Sequence, residues 1–568
     1  MKTRTLVGIG LIVGLSSWLL WGCGESGSAP KPAEPLPVAS QFGQEPVNPE
    51  PVDEGTPVDG DWCIMRLPDE PPHLNPVTSS DAYAREITDL VFDTLIYRSH
   101  VNFEFEPRLA ESWEISPDHL TYTFHMRKDA TFSDGVPVTA QDVKFTYDKI
   151  KDPMTDAAHI RNYFIDVVSC EVPDDYTVKF TCDKPYFQHL SVLGEFEIMP
   201  RHIYGKGEFN KHPNNRMPIG SGRYVFERWD TGSQMTLARN ENYWGEKPHL
   251  KKMVYKIITD NNAALQVLER QELDVMVVTP EIWINRASKP DFQAKFNLRS
   301  YYTPRFGFIM WNERRPQFAD KRVRKAMTLL LDRPLILETI FHGLGREAIG
   351  MFFDESENNM ALKPLPFDPE QAKQLLDEAG WTDSDNDGIR DKDGVPFRFE
   401  LLTVTGSSEM DQFATVYQEE LKRAGIDMQI RPLEWATFSE RLDSRNFDAA
   451  PLAWSNPGVI DADPYQIWHS SQAEKGSNFV GFSNPEVDKI IEQARLEFDR
   501  AKRIQMYNRF QEIVYDEQPY TLMYNFQALV AVDKRFRNLR VYKRGLVPRE
   551  WWVPLELQKY HWPGKSSE

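Results

Sequence analysis

Phe397-Arg-Phe-Glu-Leu-Leu-Thr-Val404, the stretch Ser408 to Ala424, and Ile426-Asp-Met-Gln-Ile-Arg-Pro-Leu433 follow one another with two different hydrophobic periods. The first and last are short apolar runs, the right length for strands. The middle one places Phe413, Tyr417 and Leu421 four residues apart, the stripe of an amphipathic helix, and Gly425 stops it. Strand, helix and strand in this order predict a βαβ unit, hence parallel strands joined by a right-handed crossover. The helix before it is also well punctuated: Asp368 at the N-cap, Pro369 in the first turn and Gly380 past the end. This part of the chain therefore reads as α/β.

Upstream the pattern changes. Leu120-Thr-Tyr-Thr-Phe-His-Met126 alternates apolar and polar residues, as a half-buried strand does, and follows a Pro117-Asp118 turn. Phe132-Ser-Asp-Gly135 then leads to Val138-Thr-Ala-Gln-Asp-Val143, in which Thr139 and Asp142 have the spacing of a capping box. Around these elements lie 568 residues, enough for two to four domains that each bury a core. With 85 acidic against 66 basic residues the formal charge is −19, which opposes nucleic-acid binding, since phosphate recognition needs clustered Lys and Arg. The four cysteines are too few for a disulfide scaffold.

The N-terminus gives an address. Met1-Lys-Thr-Arg4 is positive, and the apolar run Leu6 to Leu20 is short for a membrane span but fits the core of a secretory signal. It ends at Leu20-Trp-Gly-Cys23, which resembles a bacterial lipobox, with Cys23 as the lipidated first residue after cleavage; Trp21 departs from the small or aliphatic residue usual there. Residues 24–60 hold eight prolines and a single aromatic, Phe42. Such a composition cannot offset its ordering entropy, and a coil of that length reaches on the order of 35 Å. The expectation is a signal peptide over 1–22 and a disordered tether over 23–60, with the body exported.

Export permits disulfides. Cys170 and Cys182 flank a Pro-Asp-Asp turn between two predicted strands and lie an even number of residues apart. They are expected either as a cross-strand disulfide or as two buried thiols. Cys63, in the apolar stretch Trp62-Cys-Ile-Met65, is expected to be a core thiol.

Ten short blocks, taken in order, resemble the extracellular solute-binding proteins of family 5, the dipeptide- and oligopeptide-binding receptors of ABC importers. They are Leu74-Asn-Pro76, Val91 to Leu95, Leu109 to Trp113, Phe132 to Val143, Ile198-Met-Pro200, Gly220 to Tyr224, Asn242 to Gly245, Asp320 to Ala326 with Asp332-Arg333, Phe367 to Gly380, and Asn484 to Asp488. Arg223 departs from the family's usual proline. The resemblance spans about residues 62–558. It implies a two-lobed α/β fold of the periplasmic-binding-protein type II-like kind, with the chain crossing between lobes twice. The expected division is lobe I over 61–303, with a subdomain near 101–197, lobe II over 304–526, and a return to lobe I over 527–568.

The same resemblance implies a non-catalytic receptor that binds peptides in an interlobe cleft and hands them to a membrane permease, with no cofactor and as a monomer. In open α/β sheets ligands lie beyond the carboxyl ends of the strands. Trp454 closes the strand Phe447 to Ala453, and relatives carry an acid shortly after the matching Trp that takes the ligand's ammonium. Here Pro457 stands at that distance and the first acid is Asp461, so Asp461 is the expected anchor and Asp463 a loop-capping carboxylate; both acids in a structural Asp-Pro turn is the alternative. Trp454, Trp435 and Trp311 are candidate apolar walls, and Asn312 and Arg305 candidate polar contacts, against the plainer fates of core and surface.

Asp383, Asp385 and Asp387 with Gly388 copy the first half of a calcium loop, but Gly394 stands where the bidentate Glu belongs, which favours a solvated turn and no metal. No zincin, nucleophile-elbow or phosphate-loop motif occurs, and the twelve histidines lack metal spacing. A secreted hydrolase with a site assembled from distant residues is thus the minor alternative. A receptor for an oligosaccharide or metal chelate is the nearer one.

Overall fold

The computed structural model describes residues 55–352, 362–455, 462–542 and 544–560. Cys23, the signal and tether segments, and Asp461 lie outside them. The described chain divides into two compact units, one of residues 55–299 and 529–560 and one of 300–528. The chain passes from the first to the second within the strand Phe296–Tyr302 and back within Tyr524–Asp533.

The first unit is built on a sheet of order Phe296–Tyr302, Tyr524–Asp533, Val275–Val277, Trp62–Leu67, Lys252–Ile257, Gln234–Arg239, Tyr224–Asp230. Trp62–Leu67 runs parallel to Lys252–Ile257, in register from Trp62 opposite Lys252 to Leu67 opposite Ile257. Under this sheet lies a buried ionic clasp. Arg535 reaches Asp61 at 3.0 Å and donates to Asp274 at 2.7 Å, and Lys559 reaches Asp533 at 2.8 Å. Burial pushes the Asp274 carboxyl up in pKa while Arg535 opposes it. Four distant stretches of chain are thereby held by charges that would be costly to leave unpaired.

The same unit carries a four-stranded antiparallel sheet of Ala110–Ile115, Thr121–Met126, Thr177–Cys182 and Val167–Asp174. Its alternation is as read: Tyr122, Phe124 and Met126 are buried. The helix Ala140–Lys151 begins where the capping-box spacing placed it, with the Thr139 amide donating to the Asp142 carboxylate at 2.9 Å. The disulfide expectation fails here. Cys170 and Cys182 are free, buried thiols. The hairpin register sets Cys170 opposite Phe180 and Cys182 opposite Val167. Cys182 is thus two positions beyond the residue facing Cys170, a diagonal separation of roughly 8 Å between Cα atoms, beyond disulfide reach. Burial pushes both thiols up to about 12, so neither is reactive at neutral pH. Cys63 is a fully buried core thiol.

The second unit is a five-stranded sheet of order Asp427–Leu433, Arg398–Val404, Ala449–Ser455, Arg305–Trp311, Tyr520–Leu522. Arg398–Val404 is parallel to Asp427–Leu433 along its whole length, joined by the helix Ser408–Arg423, which is the βαβ unit read from the sequence. Ser407 caps that helix by accepting from the Met410 amide at 3.1 Å. Gly425 ends it at φ +79°, in the left-handed region that a side chain would strain. Phe413, Tyr417 and Leu421 face a core that includes Trp311, Phe318 and Phe399. Arg305–Trp311 runs antiparallel to Ala449–Ser455, with Arg305 opposite Ser455 and Trp311 opposite Ala449.

Candidate ligand-binding site

The register of the second unit sorts the candidate residues. Because Arg305 pairs with Ser455, the amino end of the Arg305 strand lies at the carboxyl end of the Ala449 strand. Arg305 and Trp454 therefore share the edge at which open α/β sheets hold ligands. Trp435 joins them: Val404 pairs with Leu433, and the helix Trp435–Asp443 starts two residues beyond Leu433.

Trp454 is half-buried at the centre of an aromatic row. Its ring is stacked on Phe479 at 6.1 Å and 7° and on Phe308 at 5.9 Å and 26°; Phe308 lies flat on Tyr520 at 4.1 Å and 6°. The Trp454 Nε1 donates to the Tyr520 hydroxyl at 3.4 Å. Phe308 and Tyr520 are buried, so the row fixes the Trp454 ring from behind while leaving part of it open. A rigid, partly exposed indole can accept varied apolar groups at small entropic cost. Trp435 is half-buried too, stacked on Phe438 at 5.6 Å.

Arg305 is half-buried, and burial holds its guanidinium below the usual range, which marks a partly desolvated cation at this edge. Its backbone is fixed by Asn525, whose Nδ2 donates to the Arg305 carbonyl at 2.7 Å and to that of Thr303 at 3.1 Å.

Asp463 is committed within the unit. One oxygen accepts from the Tyr465 amide at 3.0 Å and starts the turn Tyr465–Trp468, while the other lies 3.0 Å from the Arg495 Nε. Arg495 also sits over the Tyr465 ring at 4.4 Å, and Tyr465 stacks on His469 at 4.3 Å. Asp463 thus anchors the loop that follows Asp461.

Two candidates leave the site. Asn312 lies at the opposite end of its strand and is 1% exposed. Its Nδ2 donates to the carbonyls of Phe447 at 2.7 Å and Arg445 at 3.2 Å, and its Oδ1 accepts from the Arg314 amide at 3.2 Å. It pins the turn that enters the Ala449 strand and has no group left for a ligand. Trp311 is fully buried, its Nε1 donating to the Thr521 hydroxyl at 3.0 Å.

The sequence reading missed Phe308, Phe479, Tyr520 and Arg495. The alternation Phe306-Gly-Phe308 signalled a ring on one face, but its partners come from strands and turns far away in sequence. Asp383, Asp385 and Asp387 are exposed with their carboxylates within 4.8 Å of one another, while the Asp391 carboxylate is taken up by the Ser384 amide and hydroxyl.

A sequence model described as bacterial extracellular solute-binding proteins, family 5 Middle, matches residues 104–477. The oligopeptide-binding protein AppA of Bacillus subtilis (strain 168) is 31% identical over 518 residues, covering 88% of this chain and 93% of that protein. The solved structure of AppA from Bacillus subtilis in complex with a nonapeptide matches with a TM-score of 0.74 at 29% identity, over 88% of this chain and 100% of that one. NikZ from Campylobacter jejuni in complex with Ni(L-His) matches with a TM-score of 0.74 at 25% identity, over 88% and 100%.

Proposed function

The chain belongs to the bacterial extracellular solute-binding proteins of family 5, and on that premise we propose that it is a non-catalytic receptor that captures peptides and delivers them to an ABC-type permease. The observation that carries the peptide reading is the 31% identity to an oligopeptide-binding protein across nearly the whole of both chains. The edge of the second unit supports it. Trp454 and Trp435 offer partly open apolar rings, which suit a ligand of varied side chains, and Arg305 offers a cation for a carbonyl or carboxylate. In this reading Asp461 takes the peptide ammonium.

The body acts outside the cell, held by a lipid on Cys23 and the tether of residues 24–60, and works as a monomer. Among the described residues no helix is long and apolar enough to cross a membrane.

Incubation of the purified protein with a mixed peptide pool, followed by native mass spectrometry, tests the reading. One-to-one saturable peptide adducts with no change in peptide mass are expected. Cleaved peptides would replace the receptor with a hydrolase. A second cargo, a metal chelate, is favoured by the likeness to NikZ holding Ni(L-His); retention of a nickel–histidine complex with no peptide adduct would promote it.

A further inference from the structure

The first unit holds a guanidinium with an aromatic ring against it and no anion paired to it among the described residues. Arg223 stands just before the strand Tyr224–Asp230, its backbone fixed by the Asn240 amide, which donates to its carbonyl at 2.9 Å, and by the neighbouring Gly222 amide, which donates to the Val91 carbonyl at 2.8 Å. The side chain is half-buried and lies 5.0 Å from the Tyr243 ring centroid. Among the described residues it makes no hydrogen bond and no ion pair.

Its surroundings are cationic. Arg108, 7% exposed, lies 2.5 Å from Asp93, and that carboxylate also accepts from the Tyr243 hydroxyl at 3.4 Å and the Trp244 Nε1 at 3.2 Å. Arg549 donates to the Tyr97 hydroxyl at 2.6 Å. The nearby Glu550 is held by His100 at 2.8 Å and by the Tyr542 hydroxyl at 2.6 Å. Arg108 and Arg549 both pack on the Tyr97 ring, at 5.6 and 5.0 Å from its centroid, and the carboxylates of Asp93 and Glu550 are both already engaged. Burial, and then Arg108, hold the Arg223 guanidinium below its ordinary pKa, with Arg549 pushing the same way and Tyr243 and Asp93 opposing.

A half-buried cation among like charges is costly unless an anion joins it. The planar fork of an arginine suits a carboxylate or a phosphate, which it can grip with two parallel hydrogen bonds. Tyr243 lies against it, the ring centroid 5.0 Å from the guanidinium carbon, and Arg108 and Arg549 add to the field. We propose that Arg223, with Arg108 and Arg549 beside it, forms a binding site for a small oxyanion, either a free phosphate or the carboxylate of a peptide. The site stands on the first unit alone and does not depend on the peptide reading.

The test uses calorimetry and thermal melting of the native protein and of Arg223→Gln, with inorganic phosphate, with sodium chloride at equal ionic strength, and with a peptide as free acid and as C-terminal amide. Phosphate stabilisation beyond the chloride control, with affinity about tenfold or more weaker in Arg223→Gln, identifies a free-anion site. Preference for the acid over the amide, lost in Arg223→Gln, identifies a peptide carboxylate. Without ligand the variant should melt at or above the native midpoint, since a repelled cation has been removed; a purely structural arginine would lower it. If neither phosphate nor acid-form peptide shows an effect that depends on Arg223, the proposal falls. The phosphate arm decides even for a protein that binds no peptide.

Discussion

Arg495 Nε lies 3.0 Å from the Oδ2 of Asp463, joining the helix Pro485–Leu496 to the loop that follows the Trp454 strand. The Asp463 side chain is 12% exposed, so its charge is shielded from water and offset by Arg495. A carboxylate already neutralised by a neighbour attracts a ligand's ammonium less than one that is not. The pair also fixes the start of the turn Tyr465–Trp468 against the helix Pro485–Leu496.

Asp463→Asn keeps the shape and the acceptor for the Tyr465 amide but removes the charge facing Arg495. Leaving a charged partner unsatisfied costs about 1–3 kcal/mol. The melting midpoint should fall accordingly, while the preference for free over N-acetylated peptides should persist. An unchanged midpoint would show that the ion pair contributes nothing.

Trp454→Ala removes the ring between Phe479 and Phe308 in the row that ends at Tyr520. An aromatic pair contributes about 0.5–1.5 kcal/mol beyond its buried area, and two pairs are lost. Peptide affinity should drop about tenfold or more, and Trp454→Phe should recover most of it, since the stack survives without the indole N–H. Calorimetry of the three proteins decides this; equal affinity for native and Ala forms would take Trp454 out of the ligand wall.

What the sequence discloses here is local. The βαβ unit is legible because Ser407, the Phe413-Tyr417-Leu421 stripe and Gly425 each act within a few residues of themselves. Asn312 misleads because its fate depends on the antiparallel register of Arg305–Trp311, which turns a residue seven positions from Arg305 to the far end of the sheet. The cysteine pair misleads for a related reason: equal parity puts both thiols on one buried face, but the hairpin register sets Cys170 opposite Phe180, two positions from Cys182. Arg495 leaves no sequence trace at all, since nothing in its spacing connects it to an acid more than thirty residues before it.

Glu313 gives the stability a pH slope. Burial pushes its carboxyl up from the ordinary glutamate value of 4.5 to about 7, with Arg324 opposing and Glu517 adding to the effect. The unfolded chain releases this proton near 4.5 and the native one holds it until about 7. Between those values the native state binds more protons, so stability is greatest below 4.5, falls as pH rises to 7 and is level above. The linkage amounts to at most about 3 kcal/mol. Glu313→Gln should flatten this part of the profile, since Arg324 keeps the carbonyls of Phe318 and Glu517 at 2.8 and 3.0 Å. Melting curves from pH 4 to 8 check it; parallel profiles for the two proteins would refute the assignment.

Cys23→Ala should release the protein from membranes. A diacyl anchor supplies about 0.8 kcal/mol per buried methylene, and removing the acceptor sulfur removes all of it. Fractionation with a carbonate wash reads the result. Native protein in the pellet and variant in the supernatant is expected, and a variant that still sediments would show that another part of the chain holds the membrane.

In the proposed peptide reading the ammonium falls to Asp461, because Asp463 is engaged by Arg495. An enclosed peptide ammonium that loses its carboxylate is left unpaired, at a cost on the order of 2–5 kcal/mol. Asp461→Ala should therefore weaken binding of free peptides by roughly 30-fold or more. N-acetylated peptides carry no ammonium, so they should bind poorly to the native protein and lose little further in the variant. Calorimetry on both proteins with both peptide forms closes a double-mutant cycle whose coupling term isolates this one contact. Arg495→Ala supplies the control: freeing Asp463 from its partner should partly restore ammonium binding in the Asp461→Ala background, since a second carboxylate then becomes available nearby. Equal losses for free and acetylated peptides would place the ammonium elsewhere and leave the loop after Trp454 with a structural role only.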